Sequence, residues 1–138
     1  MRRRELRASL PGQAASAAEA RRLVRQALEA WGRPEASGWA SLVATELVTN
    51  AVVHARTALL LVMRLDSALR IEVHDGDRRP AVPRDHRPLS ARGRGLELVA
   101  EASDRWGSDA TPAGKVVWAE LDRPASRRPA GRGATRGG

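Results

Sequence analysis

A row of polar residues lies within an otherwise apolar segment of the chain. Glu46, Asn50 and His54 are spaced by four in a stretch over 40–55 that contains no Arg. This spacing places side chains on one face of a helix. A carboxylate and an amide one turn apart in an apolar helix need polar partners, which a ligand with a metal ion would supply. The alternative is a solvated face of an amphipathic helix, and helix geometry alone leaves the two interpretations open.

A second carboxylate lies at the end of a predicted strand. Leu69, Ile71 and Val73 alternate with polar residues, so they share one face. Asp75 continues this buried register, and Gly76 then lets the backbone turn. A buried carboxylate needs hydrogen-bond donors, and an adenine amino group is a suitable one. A turn-capping Asp at a strand end is the other interpretation.

A long arginine-rich segment follows. Residues 76–92 contain three Pro and no apolar periodicity, which predicts a loop. The loop leads through Gly93-Arg94-Gly95 into a helix. Glycines before a helix let backbone N–H groups and the helix dipole face an anion, and Arg92 or Arg94 can add bidentate phosphate contacts. A solvated charged loop is the alternative.

The elements that must position these residues follow from apolar periodicity and turn residues. Strands are predicted over 5–10, 57–65, 69–75, 104–109 and 115–121, and helices over 16–31, 35–55 and 94–103. Ser16 is the predicted N-cap of the first helix, with Glu19 completing a capping box. Because the strands come mostly as adjacent hairpins, we expect an α+β two-layer sandwich with a mainly antiparallel sheet and helices on one face. This domain spans 1–122, and a disordered basic tail follows over 123–138.

Composition excludes several classes of protein. The chain has no Cys, hence no disulfide or thiolate metal site, and no apolar stretch near the ~20 residues that span a bilayer. No secretory signal is evident, so a cytoplasmic protein without membrane contact is expected. The net charge of +8 resides in the ends, because residues 13–122 carry 15 basic and 15 acidic groups. With no Phe or Tyr to stack on bases, nucleic-acid binding is not expected.

Taken in order, these motifs resemble the Bergerat-fold (GHKL) ATPases, which include DNA gyrase B subunits, sensor histidine kinases and anti-sigma-factor serine kinases. The most specific motif is Glu-Leu-Val-Thr-Asn-Ala-Val-Val-His-Ala over 46–55. Asp75-Gly76 and the glycine motif over 93–99 stand where the family has its adenine-reading Asp and second glycine motif. Residues 114–121 are similar to the closing strand of stand-alone members. The resemblance covers 5–122, and the small size favours the anti-sigma-factor serine/threonine kinase branch.

The resemblance implies ATP and Mg²⁺ as ligands. Asn50 would help to hold Mg²⁺ at the phosphates, and Glu46 would act as general base on a protein serine hydroxyl or on water. Asp75, followed by Gly76, would accept a hydrogen bond from the adenine amine. His54 would only support the site.

The glycine motif has implied roles as well. Gly93 and Gly95 would let a lid close over the phosphates, with Arg92 or Arg94 as phosphate contacts.

The sequence also departs from the family pattern. The first glycine motif, commonly Asp-x-Gly-x-Gly, has Asp77 and Arg79 in place of its two glycines. This departure bears on affinity and turnover more than on fold. Lys115 is expected to be an exposed strand residue, with a phosphate contact as the alternative.

Three functions compete at this stage. The first is a kinase that transfers the ATP γ-phosphate to a serine or threonine of an antagonist protein and thereby controls a sigma factor, with homodimer formation as a further expectation. The second is an ATP-binding partner-switching module with little or no kinase activity, which the altered glycine motif favours. The third is a protein that binds nucleic acid through its basic ends.

Overall fold

The computed structural model describes residues 4–81 and 95–122, which form a five-stranded sheet, three α-helices and one short 3-10 helix. The elements in chain order are β1 (Arg4–Leu10), α1 (Ala15–Ala30), the 3-10 helix (Pro34–Ala36), α2 (Ser37–His54), β2 (Leu59–Leu65), β3 (Ala68–Asp75), α3 (Leu96–Ala102), β4 (Arg105–Thr111) and β5 (Gly114–Asp122). Every predicted strand and helix is present, with its ends within two residues of the prediction. The predicted tail, 123–138, and most of the predicted loop lie outside the described residues.

The sheet is antiparallel throughout, in the order β1-β2-β3-β5-β4. The last hairpin therefore inserts its second strand, β5, between β3 and β4. The ladder between β3 and β5 runs from Ala68 opposite Asp122 to Asp75 opposite Lys115. The end of β3 thus faces the beginning of β5.

The helices cover one face of this sheet. Leu69, Ile71 and Val73 of β3 are at most 1% exposed and belong to the same apolar core as buried residues of α1, α2 and α3. The alternate residues of β3 point to the opposite face, which is polar. This two-layer arrangement confirms the predicted α+β sandwich with an antiparallel sheet and helices on one side.

The beginning of α1 differs from the prediction. The N-cap is Ala14, which makes no side-chain cap, and Ser16 is buried within the first turn, where its Oγ donates to the Pro11 carbonyl at 2.6 Å. The predicted capping box is therefore wrong. The reason is the core-facing row of α1, which begins at Ser16 and turns its hydroxyl away from the helix start. Glu19 pairs instead with Arg22.

Helix α1 ends at Ala30, and Gly32 follows shortly after it. Gly32 adopts a φ of 76°, and the next N–H, of Arg33, donates to the Leu28 carbonyl at 2.8 Å. This is a Schellman-type helix end, which favours glycine because the left-handed backbone is strained for other residues. The reversal directs the chain through the 3-10 helix into α2.

No helix within 4–81 and 95–122 has the length and apolar character needed to cross a membrane.

Candidate nucleotide site

The polar row predicted on α2 lies along its partly exposed side. Glu46 and Asn50 are half-buried, and His54, in the last turn, is exposed. The opposite side of α2 buries Val43, Leu47 and Val48 in the core. The helix therefore presents its carboxylate and amide at the edge of the core. His54 lies beyond that edge, and its supporting role stays a prediction.

Asp75 is buried at the end of β3, as its register predicts. The residue is 6% exposed and its side chain is completely inaccessible to solvent. Its Oδ1 accepts hydrogen bonds from the Asp77 N–H at 2.8 Å and from Lys115 Nζ at 3.2 Å. Its Oδ2 lies 3.0 Å from the same Nζ but has no hydrogen-bond partner in favourable geometry. Within 4–81 and 95–122, one oxygen of this buried carboxylate therefore has an ionic contact but accepts no hydrogen bond.

Lys115 contradicts its prediction as an exposed strand residue. It is 2% exposed, and besides Asp75 its Nζ also donates to the Asp77 carbonyl at 3.2 Å. The physical reason is the strand period of two, because Lys115 shares the core-facing register of Val117 and Ala119. This alternation, together with the need of Asp75 for a partner, was the signal available in the sequence.

A threonine joins the end of α2 to the end of β3. The Gly76 N–H donates to Thr57 Oγ1 at 2.9 Å, and Thr57 follows three residues after α2. A Cβ at Gly76 would lie 3.2 Å from Thr57 Cγ2, so a larger residue would crowd this junction. Sequence reasoning missed Thr57, which holds the turn after Asp75 against the helix that carries Asn50.

The first residue of β5 is a second close approach to Asp75. A Cβ on Gly114 would lie 1.9 Å from the Asp75 carbonyl oxygen, which is incompatible with any side chain in this backbone geometry. Gly114 therefore allows β5 to approach the end of β3 and to place Lys115 beside Asp75. In the sequence it is recognisable only as a turn residue.

In the segment after Gly76, the two residues that replace the expected glycines bond to each other. Asp77 Oδ1 accepts a hydrogen bond from the Arg79 N–H at 2.9 Å, and the Arg79 guanidinium lies 2.6 Å from Oδ2. These bonds from Arg79 hold the pKa of Asp77 well below its usual range. Further along, the Ala81 N–H donates to Ser108 Oγ at 3.0 Å. The beginning of the loop is thus held by side-chain contacts.

Gly95 is the one predicted phosphate-contacting residue of the glycine motif that lies within the described residues. It is the N-cap of α3 with a φ of 55°, which favours glycine, and its carbonyl accepts the Leu98 N–H at 3.1 Å. Arg92, Gly93 and Arg94 lie outside the described part of the chain. Helix α3 packs on α2, and beyond its end Ser103 Oγ accepts a hydrogen bond from Trp39 Nε1 at 3.2 Å.

The structure therefore collects Asp75, Gly76 and Lys115 into one contact network, with Thr57 and Gly114 as its supports. Glu46 and Asn50 belong to the neighbouring helix, α2, which packs on β3, β5 and α3.

The donor set fits a nucleotide better than an isolated metal ion. Within the two described ranges no three His, Asp or Glu residues are grouped so that they could hold a metal. Mg²⁺ commonly needs only one or two protein ligands when a phosphate supplies others, and the Asn50 amide oxygen suits that arrangement. The unused Asp75 Oδ2 is a fitting acceptor for a base amino group.

Comparison with known proteins agrees with this architecture. Residues 10–121 match the family described as histidine kinase-like ATPase domain. No curated protein matches the chain. The matched residues extend from the end of β1 to the last residues of β5, and they include all of α2 and the end of β3. On this match, and with the fold to support it, the chain belongs to the histidine kinase-like ATPase domain family.

Proposed function

We propose that this ATPase-family chain is an ATP-dependent serine/threonine kinase of the anti-sigma-factor type, which phosphorylates an antagonist protein. One observation carries the nucleotide part of the proposal. Asp75 is buried at the end of β3, and its Oδ2 accepts no hydrogen bond from the residues that the structure describes. A buried acceptor without a donor costs free energy, so its retention indicates a ligand that supplies the donor.

In this proposal Asp75 Oδ2 accepts a hydrogen bond from the adenine amino group. The hydrogen bond from Gly76 to Thr57 fixes the turn after the carboxylate. The base then lies beside β3, and the phosphates extend toward α2 and the N-terminus of α3. Gly95, together with Arg92, Gly93 and Arg94 before it, contacts the phosphates through backbone N–H groups and guanidinium groups.

Asn50 and Glu46 have separate roles, in metal binding and in proton transfer. Asn50 offers its amide oxygen to Mg²⁺, which when bound neutralises phosphate charge during transfer. Glu46, one turn earlier, accepts the proton of the attacking serine hydroxyl or of water. Phosphoryl transfer depends mainly on positioning and charge neutralisation, so a small set of residues suffices.

The experiment is a calorimetric titration of the full chain with ATP and Mg²⁺. We expect binding that weakens at least about tenfold in Asp75→Asn and in Asn50→Ala, since each variant loses a hydrogen bond or ligand to a charged group. The matched control is Glu72→Gln, because Glu72 is as buried as Asp75 but points to the opposite face of β3. It should change affinity by no more than about twofold. Absence of binding at millimolar ATP would overturn the proposal.

Glu46→Gln separates catalysis from binding. We expect it to retain ATP affinity within about twofold while abolishing slow ATP hydrolysis, because a general base acts on the chemical step. Equal hydrolysis by the parent and the variant would remove Glu46 from the mechanism.

A second candidate, an ATP-binding partner switch with little transfer, has one specific observation in its favour. Asp77 and Arg79 replace two motif glycines and bond to each other, which restrains the beginning of the loop. This candidate expects ATP binding without hydrolysis or transfer, and the Glu46→Gln comparison distinguishes the two.

A further inference from the structure

A buried cation lies directly beside the carboxylate assigned to the base. Lys115 and Asp75 are 2% and 6% exposed, and the ammonium lies within 3.2 Å of both carboxylate oxygens. Neither composition nor motif suggests a charged pair at this position. Burial of two charges is costly unless their remaining hydrogen-bonding groups are used, so the pair needs an explanation.

The hydrogen bonds of the pair can be counted. An ammonium has three donors, and Lys115 uses two of them, on Asp75 Oδ1 and on the Asp77 carbonyl. The carboxylate of Asp75 has one oxygen, Oδ2, without a hydrogen-bond partner. The 3.0 Å separation between Nζ and Oδ2 is an ionic contact outside the hydrogen-bonding direction. Among the hydrogen bonds of the described residues, one donor of Lys115 and one acceptor of Asp75 therefore remain unused, side by side.

We propose that Lys115 is a base-reading residue of the nucleotide site. The proposal rests on the proposed ATP binding and extends it by one residue and one atom of the ligand. Asp75 Oδ2 accepts from the six-amino group of adenine, and Lys115 Nζ donates to the ring nitrogen beside that group. An adenine presents such a donor next to an acceptor on either edge, with N1 on one side and N7 on the other.

The geometry supports a role for Lys115 in base recognition in addition to its role as the counter-ion of Asp75. Lys115 Nζ lies 3.0 Å from Oδ2 and donates to Oδ1 at 3.2 Å, so it neutralises the carboxylate, while Oδ2 still accepts no hydrogen bond from the described residues. The Asp77 carbonyl and the close approach of Gly114 hold β5 and the ammonium in this position. Both side chains are inaccessible or nearly so, hence the base reaches them only when neighbouring groups shift.

The test uses ATP and two analogues, 1-deaza-ATP and 7-deaza-ATP, each of which lacks one candidate ring nitrogen. Calorimetry on the full chain should show one analogue binding at least about tenfold more weakly than ATP, because it loses a hydrogen bond to a charged donor. In Lys115→Met this preference should vanish, so that the analogue and ATP bind equally. The control Arg22→Ala, on the exposed side of α1, should keep the parental preference.

Since Lys115→Met leaves a buried carboxylate without its cation, it can fail to fold. The double variant Asp75→Asn with Lys115→Met removes both charges and should also bind ATP and the analogue equally, through the phosphates. Equal binding of all three nucleotides by the parent, or a preference that persists without Lys115, would overturn the inference and leave the proposed function intact. Absence of ATP binding by the parent would instead overturn the proposed function.

Discussion

Strand β3 carries two buried carboxylates three residues apart, and they are opposite in almost every respect except burial. Glu72 and Asp75 are each 6% exposed, but Glu72 points to the polar face of the sheet and Asp75 to the helix side. Sequence alternation explains this separation, because an odd spacing places residues on opposite faces. The comparison is informative because both carboxylates are largely removed from water and each therefore needs partners.

Both carboxylate oxygens of Glu72 have side-chain partners. Its Oε2 accepts from Arg64 at 2.8 Å and from Arg70 at 2.7 Å, while Oε1 lies 2.9 Å from His74 Nε2. Burial alone would raise the pKa of Glu72, but the hydrogen bonds from Arg70 and His74 and the nearby Arg charges outweigh it and lower the pKa to about 2. These contacts compensate the negative charge of Glu72.

The same network extends across the whole polar face. Arg70 also pairs with Glu120, which pairs in turn with Arg105. The Arg70 guanidinium lies 4.4 Å from the ring centroid of Trp118. Among the described residues, Asp75 by contrast has Lys115 as its one cationic partner, and its Oδ2 accepts no hydrogen bond. The contacts of Glu72 are those of a structural carboxylate, whereas the acceptor that remains at Asp75 is the observation on which the proposed nucleotide site rests.

The largest effect is expected from removing Lys115, the cation that pairs with Asp75. Lys115→Met should lower the free energy of unfolding by about 3–5 kcal/mol, because it leaves a buried charge uncompensated. Urea denaturation measures the loss. The matched variant Arg64→Met removes one of several cations around Glu72 and should cost only about 1 kcal/mol.

Restoring charge balance sharpens this comparison. Asp75→Asn together with Lys115→Met should recover most of the lost stability, since neither buried charge remains. A Lys115→Met variant as stable as Arg64→Met would show that the buried pair is not a critical ionic contact.

The next effect is the acid sensitivity that Glu72 contributes. Its pKa is lower in the folded chain, so its stabilisation is present above the unfolded pKa and is lost as pH falls from 4.5 toward 2. The loss should reach up to about 3 kcal/mol over that window. Denaturation of the parent and of Glu72→Gln at several pH values should show a shallower slope in the variant, and parallel curves would contradict the assignment.

Two glycine substitutions compare steric crowding at Asp75 with crowding on the polar face of the sheet. Gly114→Ala would place a methyl 1.9 Å from the Asp75 carbonyl oxygen, and Gly107→Ala would place one 2.6 Å from the Trp118 ring. We expect Gly114→Ala to lower the free energy of unfolding by about 1–3 kcal/mol and to weaken ATP binding, because the backbone at Asp75 and Gly76 must move to make room. The Trp118 side chain can shift on the open face, so Gly107→Ala should leave the ATP affinity unchanged. Thermal denaturation and calorimetry provide both readouts.

The smallest effect concerns the aromatic ring on the polar face. Trp118→Leu keeps an apolar residue but removes both the cation–π contact with Arg70 and the exposed hydrogen bond from Trp118 Nε1 to Asp109 Oδ2, and it should lower the free energy of unfolding by about 1 kcal/mol. Urea denaturation in low and in high salt measures it. An unchanged ATP affinity is expected, and a weakened affinity would contradict the separation of the two faces.

Local pattern predicted much of the fold because its signals are short-range. The alternation in β3 located Asp75 on the core side, and the four-residue spacing on α2 put Glu46 and Asn50 on one side. The capping box at Ser16 was wrong because packing of α1 turned the hydroxyl toward Pro11. A local motif predicts correctly only where tertiary contacts do not reorient it.

The sequence by itself determined the order of strands and helices, the burial of Asp75 and the apolar side of α2, since each depends on residues within a few positions. Only the tertiary structure decided the partner of Asp75. Lys115 is 40 residues away along the chain and reaches Asp75 because β5 inserts beside β3 and Gly114 permits the close approach. Strand order and the contact of distant backbones depend on how the whole sheet packs, which no local pattern contains.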